Sequence, residues 1–191
     1  MGDVLESTLP SDEKLAAEAA REGSDGPAFV ELVRRYRDRV WRICYRLMGN
    51  AHDAQDAAQE VFVRLFNSRG KFAGQSAYST WVYGVAVRTC LTLRRGRGRR
   101  QRRVTVADQS TLEGPAARAT TPASELSLDL ENMLAALDEE DRAMLILKYA
   151  ESYSYDELAE MFNLSVSACK MRISRARAKL QEAYPDETTS R

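Results

Sequence analysis

Apolar residues recur at helical spacing along most of this 191-residue chain, and no long window alternates as a strand would. Phe29, Leu32, Val33, Tyr36, Val40, Ile43, Cys44 and Leu47 trace one face of a long amphipathic helix. Gly49–Asn50 ends it. The next stretch, DAQDAAQEVFVRLF (53–66), places Ala54, Ala57, Ala58, Val61, Phe62 and Leu65 on a second apolar face and closes near Ser68–Gly70. After a short loop, Tyr78, Trp81, Val82, Val85, Ala86, Thr89, Cys90 and Leu93 form a third stripe. Three helices with short connections predict a helical bundle.

Over residues 104–124 the periodicity disappears and Thr, Ser, Ala and two prolines take over, as in a linker. Helical spacing resumes through Leu126, Leu130, Met133, Leu134 and Leu137, and Asp138 is placed to cap the helix DRAMLILKY. The expectation is an all-α protein: an N-terminal bundle of three to four helices and a C-terminal helix-turn-helix domain, joined by a flexible linker. Its boundaries are a loose or partly helical acidic arm over 1–27, a first domain over 28–103, a linker over 104–126, a second domain over 127–185 and a tail over 186–191.

Charge changes the picture through its distribution alone. The chain balances 28 basic against 28 acidic residues. Residues 1–27 nevertheless carry seven acids against Lys14 and Arg21, while RTCLTLRRGRGRRQRR (88–103) carries eight arginines and no acid. Such segregation points to a polyanion-binding surface with acidic flanks. Cys44, Cys90 and Cys169 are far apart on apolar stripes, no CxxC occurs and His52 is the sole histidine, so buried thiols are expected rather than a metal site. No apolar run has the length of a membrane span, and the N-terminus is acidic where a signal peptide is basic. A cytoplasmic protein without a cofactor is expected.

SYDELAEMFNLSVSACKMRISRARAKL (154–180) has the anatomy of a helix-turn-helix. Ser154 and Glu157 suit a capping box, with Leu158, Ala159 and Phe162 inward. Asn163 suits a left-handed turn residue, Leu164 plugs the angle and Ser165 caps the next helix. There Val166, Cys169, Ile173, Ala176 and Leu180 share one side. Ala168, Met171, Arg172, Arg175 and Lys179 fall opposite, with Lys170 and Arg177 at the flanks. Five basic residues between Lys170 and Lys179, with no acid among them, suit a recognition helix better than an ordinary solvated face. Base reading is expected from the Ala168–Arg172 stretch and phosphate contact from Arg175 and Lys179.

The third helix carries further chemistry. Thr80, Gly84, Val87, Arg88, Leu91 and Arg95 lie opposite its apolar stripe, and the preceding loop supplies Phe72, Gly74, Gln75 and Ser76. Aromatics interleaved with hydroxyls, followed by arginines, suit unpaired bases beside a phosphate backbone. Tyr78 and Trp81 also suit plain core positions. Upstream, Asp53, Asp56 and Glu60 stack at i, i+3 and i+7, forming an acidic strip in a chain otherwise built to attract nucleic acid.

These motifs, in this order and separated by a linker, resemble the extracytoplasmic-function (ECF) group of bacterial sigma factors, in the sigma-70 family. DAQDAAQEVFVRLF resembles the polymerase-binding helix, FAGQSAYSTWVYGVAVRTC the promoter-melting and −10 segment, and LDEEDRAMLILKYAESYSYDELAEMFNLSVSACKMRISRARAKL the −35-binding domain. The resemblance implies a non-catalytic transcription initiation factor that docks on the clamp helices of core RNA polymerase through Asp53, Gln55, Asp56, Gln59 and Glu60. It implies −10 DNA contacts by Phe72, Gly74, Gln75, Ser76, Thr80, Trp81, Tyr83, Arg88, Leu91 and Arg95, with a flipped base in the Phe72–Ser76 loop. It implies −35 contacts by Ser167, Ala168, Lys170, Met171, Arg172, Arg175 and Lys179, and an anti-sigma factor as a further partner.

This chain departs from the family pattern at several DNA-facing positions. Gly84 stands where relatives usually have arginine, and Arg88 where they often have asparagine. Ala73 replaces a common basic residue. Ala168 and Met171 occupy positions where small hydroxylated residues are frequent. A stand-alone operator-binding regulator is the rival reading, and it has no use for the acidic strip.

Overall fold

The computed structural model describes residues 9–23, 26–107, 134 and 137–183, with the backbone alone over 98–107 and at 183. The elements are α1 (Asp12–Ala19), α2 (Pro27–Met48), α3 (Ala51–Asn67), a 3-10 turn (Arg69–Lys71), α4 (Tyr78–Ala107), α5 (Glu139–Ala150), α6 (Tyr155–Phe162) and α7 (Val166–Ala183). No strand occurs among the described residues, as the hydrophobic period requires. None of the described helices is long and apolar enough to cross a membrane.

Helices α2, α3 and α4 pack on one another through the expected stripes, burying Leu32, Tyr36, Val40, Ile43, Ala54, Val61, Val82 and Ala86 among others. Local chemistry sets the ends. Gly49 takes φ +81° at the end of α2, a conformation in which a Cβ is strained. Asn50 then accepts from the Asp53 amide at 2.9 Å and opens α3. At the centre, the free thiols of Cys44 and Cys90 lie 3.6 Å apart, fully buried.

Of the two expectations for the N-terminal arm, loose or partly helical, the described residues 9–23 take the second. Ser11 caps α1, which buries Leu15, Ala16 and Ala19 as it packs on α2. Asp12 pairs with Arg35 at 2.7 Å and accepts a short hydrogen bond from the Tyr36 hydroxyl. Arg69 donates to the carbonyls of Ala19, the last residue of α1, and Glu22 just beyond it, at 3.1 and 3.3 Å. Glu22 accepts from the Ala28 amide at 3.1 Å, serving the start of α2 where the N-cap Gly26 has no side chain to offer. These acids are legible in the sequence as charge; their work as caps and cross-links depends on what folds against them.

Helix α4 runs 30 residues, so 104–107 continue the helix rather than begin the linker. The rest of the expected linker, the helical pattern through Leu126, Leu130 and Met133, residues 1–8 and the 186–191 tail lie outside the described residues.

In the C-terminal part, Asp138 accepts from the Glu140 and Asp141 amides and caps α5. The Ser154–Glu157 capping box opens α6, Asn163 ends it at φ 54°, ψ 52°, and Ser165 accepts from the Ala168 amide to start α7. Leu158, Ala159, Met161, Cys169, Ile173 and Ala176 are buried between these helices. Helix α6 also packs against α4, so the two halves of the chain share one continuous hydrophobic core.

Candidate nucleic-acid interface and docking helix

The strip on α3 divides in two. Gln55, Asp56 and Gln59 are exposed, and Glu60 is half-buried where it accepts from Arg64 at 2.6 Å. Asp53 turns away from this group: Asn50 donates to its carboxylate at 2.8 Å and Arg97 of α4 pairs with it. The Arg97 bond, helped by Asn50, holds the Asp53 carboxyl below its ordinary value. Asp53 thus serves as part of a helix start and as a cross-link to α4. Sequence reasoning passed over Val63, which sits one turn beyond Gln59 and Glu60 with 53% exposure. An apolar side chain beside an exposed acid suits a protein surface better than a DNA surface.

His52, Asp53 and Asp56 bring potential ligand atoms within 4.8 Å of one another at the start of α3. With Asp53 committed to Asn50 and Arg97, this group is accounted for by helix capping and local ion pairing.

The loop before α4 holds an aromatic cluster. Phe72 packs edge-on against Tyr78 at 5.0 Å and lies 5.7 Å from Trp81, while Tyr78 and Trp81 are 5.5 Å apart. Tyr78 is buried; Phe72, Ser76 and Trp81 are partly exposed; Gly74 and Gln75 are exposed, with Gly74 at φ +68°. A rigid aromatic floor beside a free amide side chain is a surface on which an unpaired base can stack and be hydrogen-bonded.

Farther along α4 the structure corrects the expected picture of an open DNA-facing side. Thr80, Val87 and Leu91 are 7%, 0% and 6% exposed, and Gly84 is buried. The C-terminal half meets α4 in this region: α6 packs against α4. Arg88 keeps part of its side chain in solvent but donates to the Met161 carbonyl at 3.1 Å, and desolvation lowers its guanidinium pKa. Tyr83 lies 5.8 Å from Tyr153, and Arg95 pairs with Glu140.

On α7, Ser167, Lys170, Met171, Arg175 and Lys179 are exposed and Ala168 is half-buried. Arg172 does not point outward as expected. Its Nε donates to Asp141 at 2.8 Å and its Nη1 to Glu140 at 2.8 Å, stitching α7 to the start of α5. Position explains this: Arg172 is three residues after Cys169 and one before Ile173, at the edge of the buried stripe. An open groove of about 300 Å³ also runs between α5 and α7, lined by Tyr149, Tyr155, Lys170, Ser174 and Arg177 among others. Lys148 and Lys170 stand 4.5 and 5.6 Å from the Tyr155 ring. The tyrosines carried no signal in the sequence because they lie off the α7 helix.

Two helical units, one ending in a helix-turn-helix and the other carrying an aromatic loop beside an arginine-rich helix, define a DNA-binding transcription protein. Family models for Sigma-70 region 2 and Sigma-70, region 4 match residues 32–100 and 127–180. The chain is 31% identical to the ECF RNA polymerase sigma factor SigW of Bacillus subtilis, over 85% of this chain and 91% of that protein. It is 33% identical to the ECF sigma factor SigE of Mycolicibacterium smegmatis, over 91% and 69%. In fold it is similar to CnrH in complex with the cytosolic domain of CnrY, at TM-score 0.61 and 24% identity, over 93% of this chain and 99% of that one. It is also similar to RpoE of Bartonella quintana in complex with the anti-sigma factor NepR, at TM-score 0.58 and 23% identity, over 83% and 98%. The chain belongs to the ECF sigma factors of the sigma-70 family, which direct RNA polymerase to promoters.

Proposed function

We propose that this sigma factor works without catalysis, in the cytoplasm, by three separate surfaces. Gln55, Asp56, Gln59, Glu60 and Val63 dock on the clamp helices of core polymerase. The Phe72–Ser76 loop with Trp81 captures an extruded −10 base, and Tyr83, Arg88 and Arg95 flank that strand. Ser167, Ala168, Lys170 and Met171 meet −35 base edges in the major groove, while Arg175 and Lys179 meet phosphates. The observation that carries this reading is the exposed Gln55–Val63 face, which has no use in a protein that binds DNA alone. Because RpoE of Bartonella quintana was captured with an anti-sigma factor, a protein inhibitor is a natural further partner here.

The test is reconstitution. Purified chain is added to core polymerase and a pool of promoter fragments, and both binding and transcript starts are measured. Selective initiation that needs both components supports the reading. Tight duplex binding by the chain alone, with no effect of polymerase, would replace it with the stand-alone regulator.

A further inference from the structure

Helix α1 precedes the stretch that matches Sigma-70 region 2, yet it is tied to the aromatic loop by two separate routes. The first runs through the core. The Tyr36 hydroxyl donates a short hydrogen bond to Asp12, the first residue of α1. The Tyr36 ring then meets Tyr78 edge-on at 5.7 Å, and Tyr78 carries Phe72 edge-on at 5.0 Å. The second route follows the chain into the loop. Arg69, three residues before Phe72, donates to the Ala19 and Glu22 carbonyls while its guanidinium lies 4.0 Å from the Phe66 ring.

Edge-to-face ring contacts are directional, so the tilt of one ring constrains the next. Tyr36 is the hub of this relay, since its ring also meets Tyr83 edge-on at 5.9 Å. Helix α2 holds one end of the buried side chain, and Asp12 holds the other. Asp12 is itself pinned. Arg35 donates to it at 2.7 Å and is fixed in turn by the Pro10 carbonyl at 2.9 Å and Glu31 at 2.8 Å. Burial first, and the Asp12 bond second, push the Tyr36 phenol above its ordinary value of 10.0, so it stays a donor. A phenylalanine would fill the same space. The hydroxyl therefore supplies direction rather than burial. At the far end of the relay Phe72 is partly exposed beside the free Gln75, where ring pose matters to a ligand.

We infer that Asp12 and Tyr36 are positioning residues for promoter opening: their hydrogen bond sets, through Tyr78, the pose in which Phe72 receives the extruded base. This rests on the assignment of the Phe72–Ser76 loop made above. Both residues act through other side chains, and α1 becomes part of the melting apparatus. Duplex DNA in the closed complex offers no extruded base, so the pair counts only once the strands separate. A small misplacement at an oriented contact is costly even when its cause is remote. The loss therefore falls on opening and spares docking and closed binding.

The experiment uses holoenzyme assembled from core polymerase and the full chain, on a promoter selected in the reconstitution above. The variants are Tyr36→Phe, which keeps the ring, Asp12→Ala, and the two combined. Glu13→Ala, at an exposed position of α1, controls for loss of an acid. Permanganate reactivity of the −10 region over time reads opening, low-temperature gel shift reads closed binding, and titration of labelled core enzyme reads docking. Each single variant should slow opening about tenfold, the effect of one charge-assisted hydrogen bond, with docking and closed binding unchanged. The double variant should be no slower than the slower single one, because both remove the same bond. Opening at the wild-type rate in Tyr36→Phe overturns the inference. So do additive losses in the double variant, an equal effect of Glu13→Ala, or parallel losses in docking, closed binding and opening. Gln75→Ala is measured alongside. If it leaves opening unchanged, the loop assignment fails and takes the inference with it; if it slows opening where Tyr36→Phe does not, only the positioning role is lost.

Discussion

Arg172 on α7 holds Asp141 on α5 through two guanidinium nitrogens, Nε at 2.8 Å and Nη2 at 2.7 Å, and reaches Glu140 with a third. Asp141 is 8% exposed, so this pair is a structural tie rather than a surface ornament. Arg172→Ala should lower the stability of the C-terminal domain by about 1–3 kcal/mol by leaving a buried carboxylate without its partner. Thermal unfolding of the variant measures the loss. Holoenzyme binding to a panel of −35 mutants should show an unchanged base preference; a preference relaxed at one or two base pairs with unchanged stability would assign Arg172 to base reading after all.

The same cluster predicts a pH dependence. The Arg172 bond, with help from Arg95 and against desolvation, holds the Glu140 carboxyl below its ordinary value of 4.5. A folded-state pKa below the unfolded one contributes stability that is present above the unfolded value and lost as pH falls through the folded value. Acid unfolding followed by circular dichroism should therefore shift to higher pH in Glu140→Gln, with a shallower dependence below pH about 4.5. An identical acid midpoint in both proteins would remove Glu140 from the account.

On α3, Asp56→Arg combined with Glu60→Arg should abolish polymerase binding while helix content is retained, since reversing charge at a desolvated pair costs several kcal/mol. Val63→Ala should weaken binding more modestly. Asp53→Ala should behave differently again, lowering thermal stability through loss of its Asn50 and Arg97 bonds before it affects docking. Titration of labelled core enzyme separates the three.

The aromatic loop allows stability and melting to be pulled apart. Phe72 is packed on Tyr78 and Trp81, so Phe72→Ala should cost both stability and open-complex formation. Gln75 is exposed, and Gln75→Ala should leave stability within about 0.5 kcal/mol while slowing promoter opening. Permanganate reactivity of the −10 region, compared with closed-complex binding, is the measurement. Equal losses in both steps would make the loop a structural element only.

What the amino-acid pattern determined by itself is what depends on near neighbours. The stripes of α2, α3 and α7, the Ser154–Glu157 box, the left-handed Asn163 and the Gly49 stop each involve residues within a turn or two of one another. Periodicity and capping act at that range, so these features are legible in the order of the residues alone. The family resemblance is carried by the same local motifs.

Tertiary structure decided which of the remaining polar residues are spoken for. Asp53 and Arg172 stand in the right strips, yet each is tied to another helix, 44 and 31 residues away in sequence. The second face of α4 reads as open because Thr80, Val87, Arg88 and Leu91 mix apolar and charged character with no partner in view. Its partner, Met161 and the helix around it, lies 73 residues on. A helix cannot announce that it will be buried on two sides when the second side is closed by a domain beyond the linker, because periodicity records faces and not what arrives to cover them.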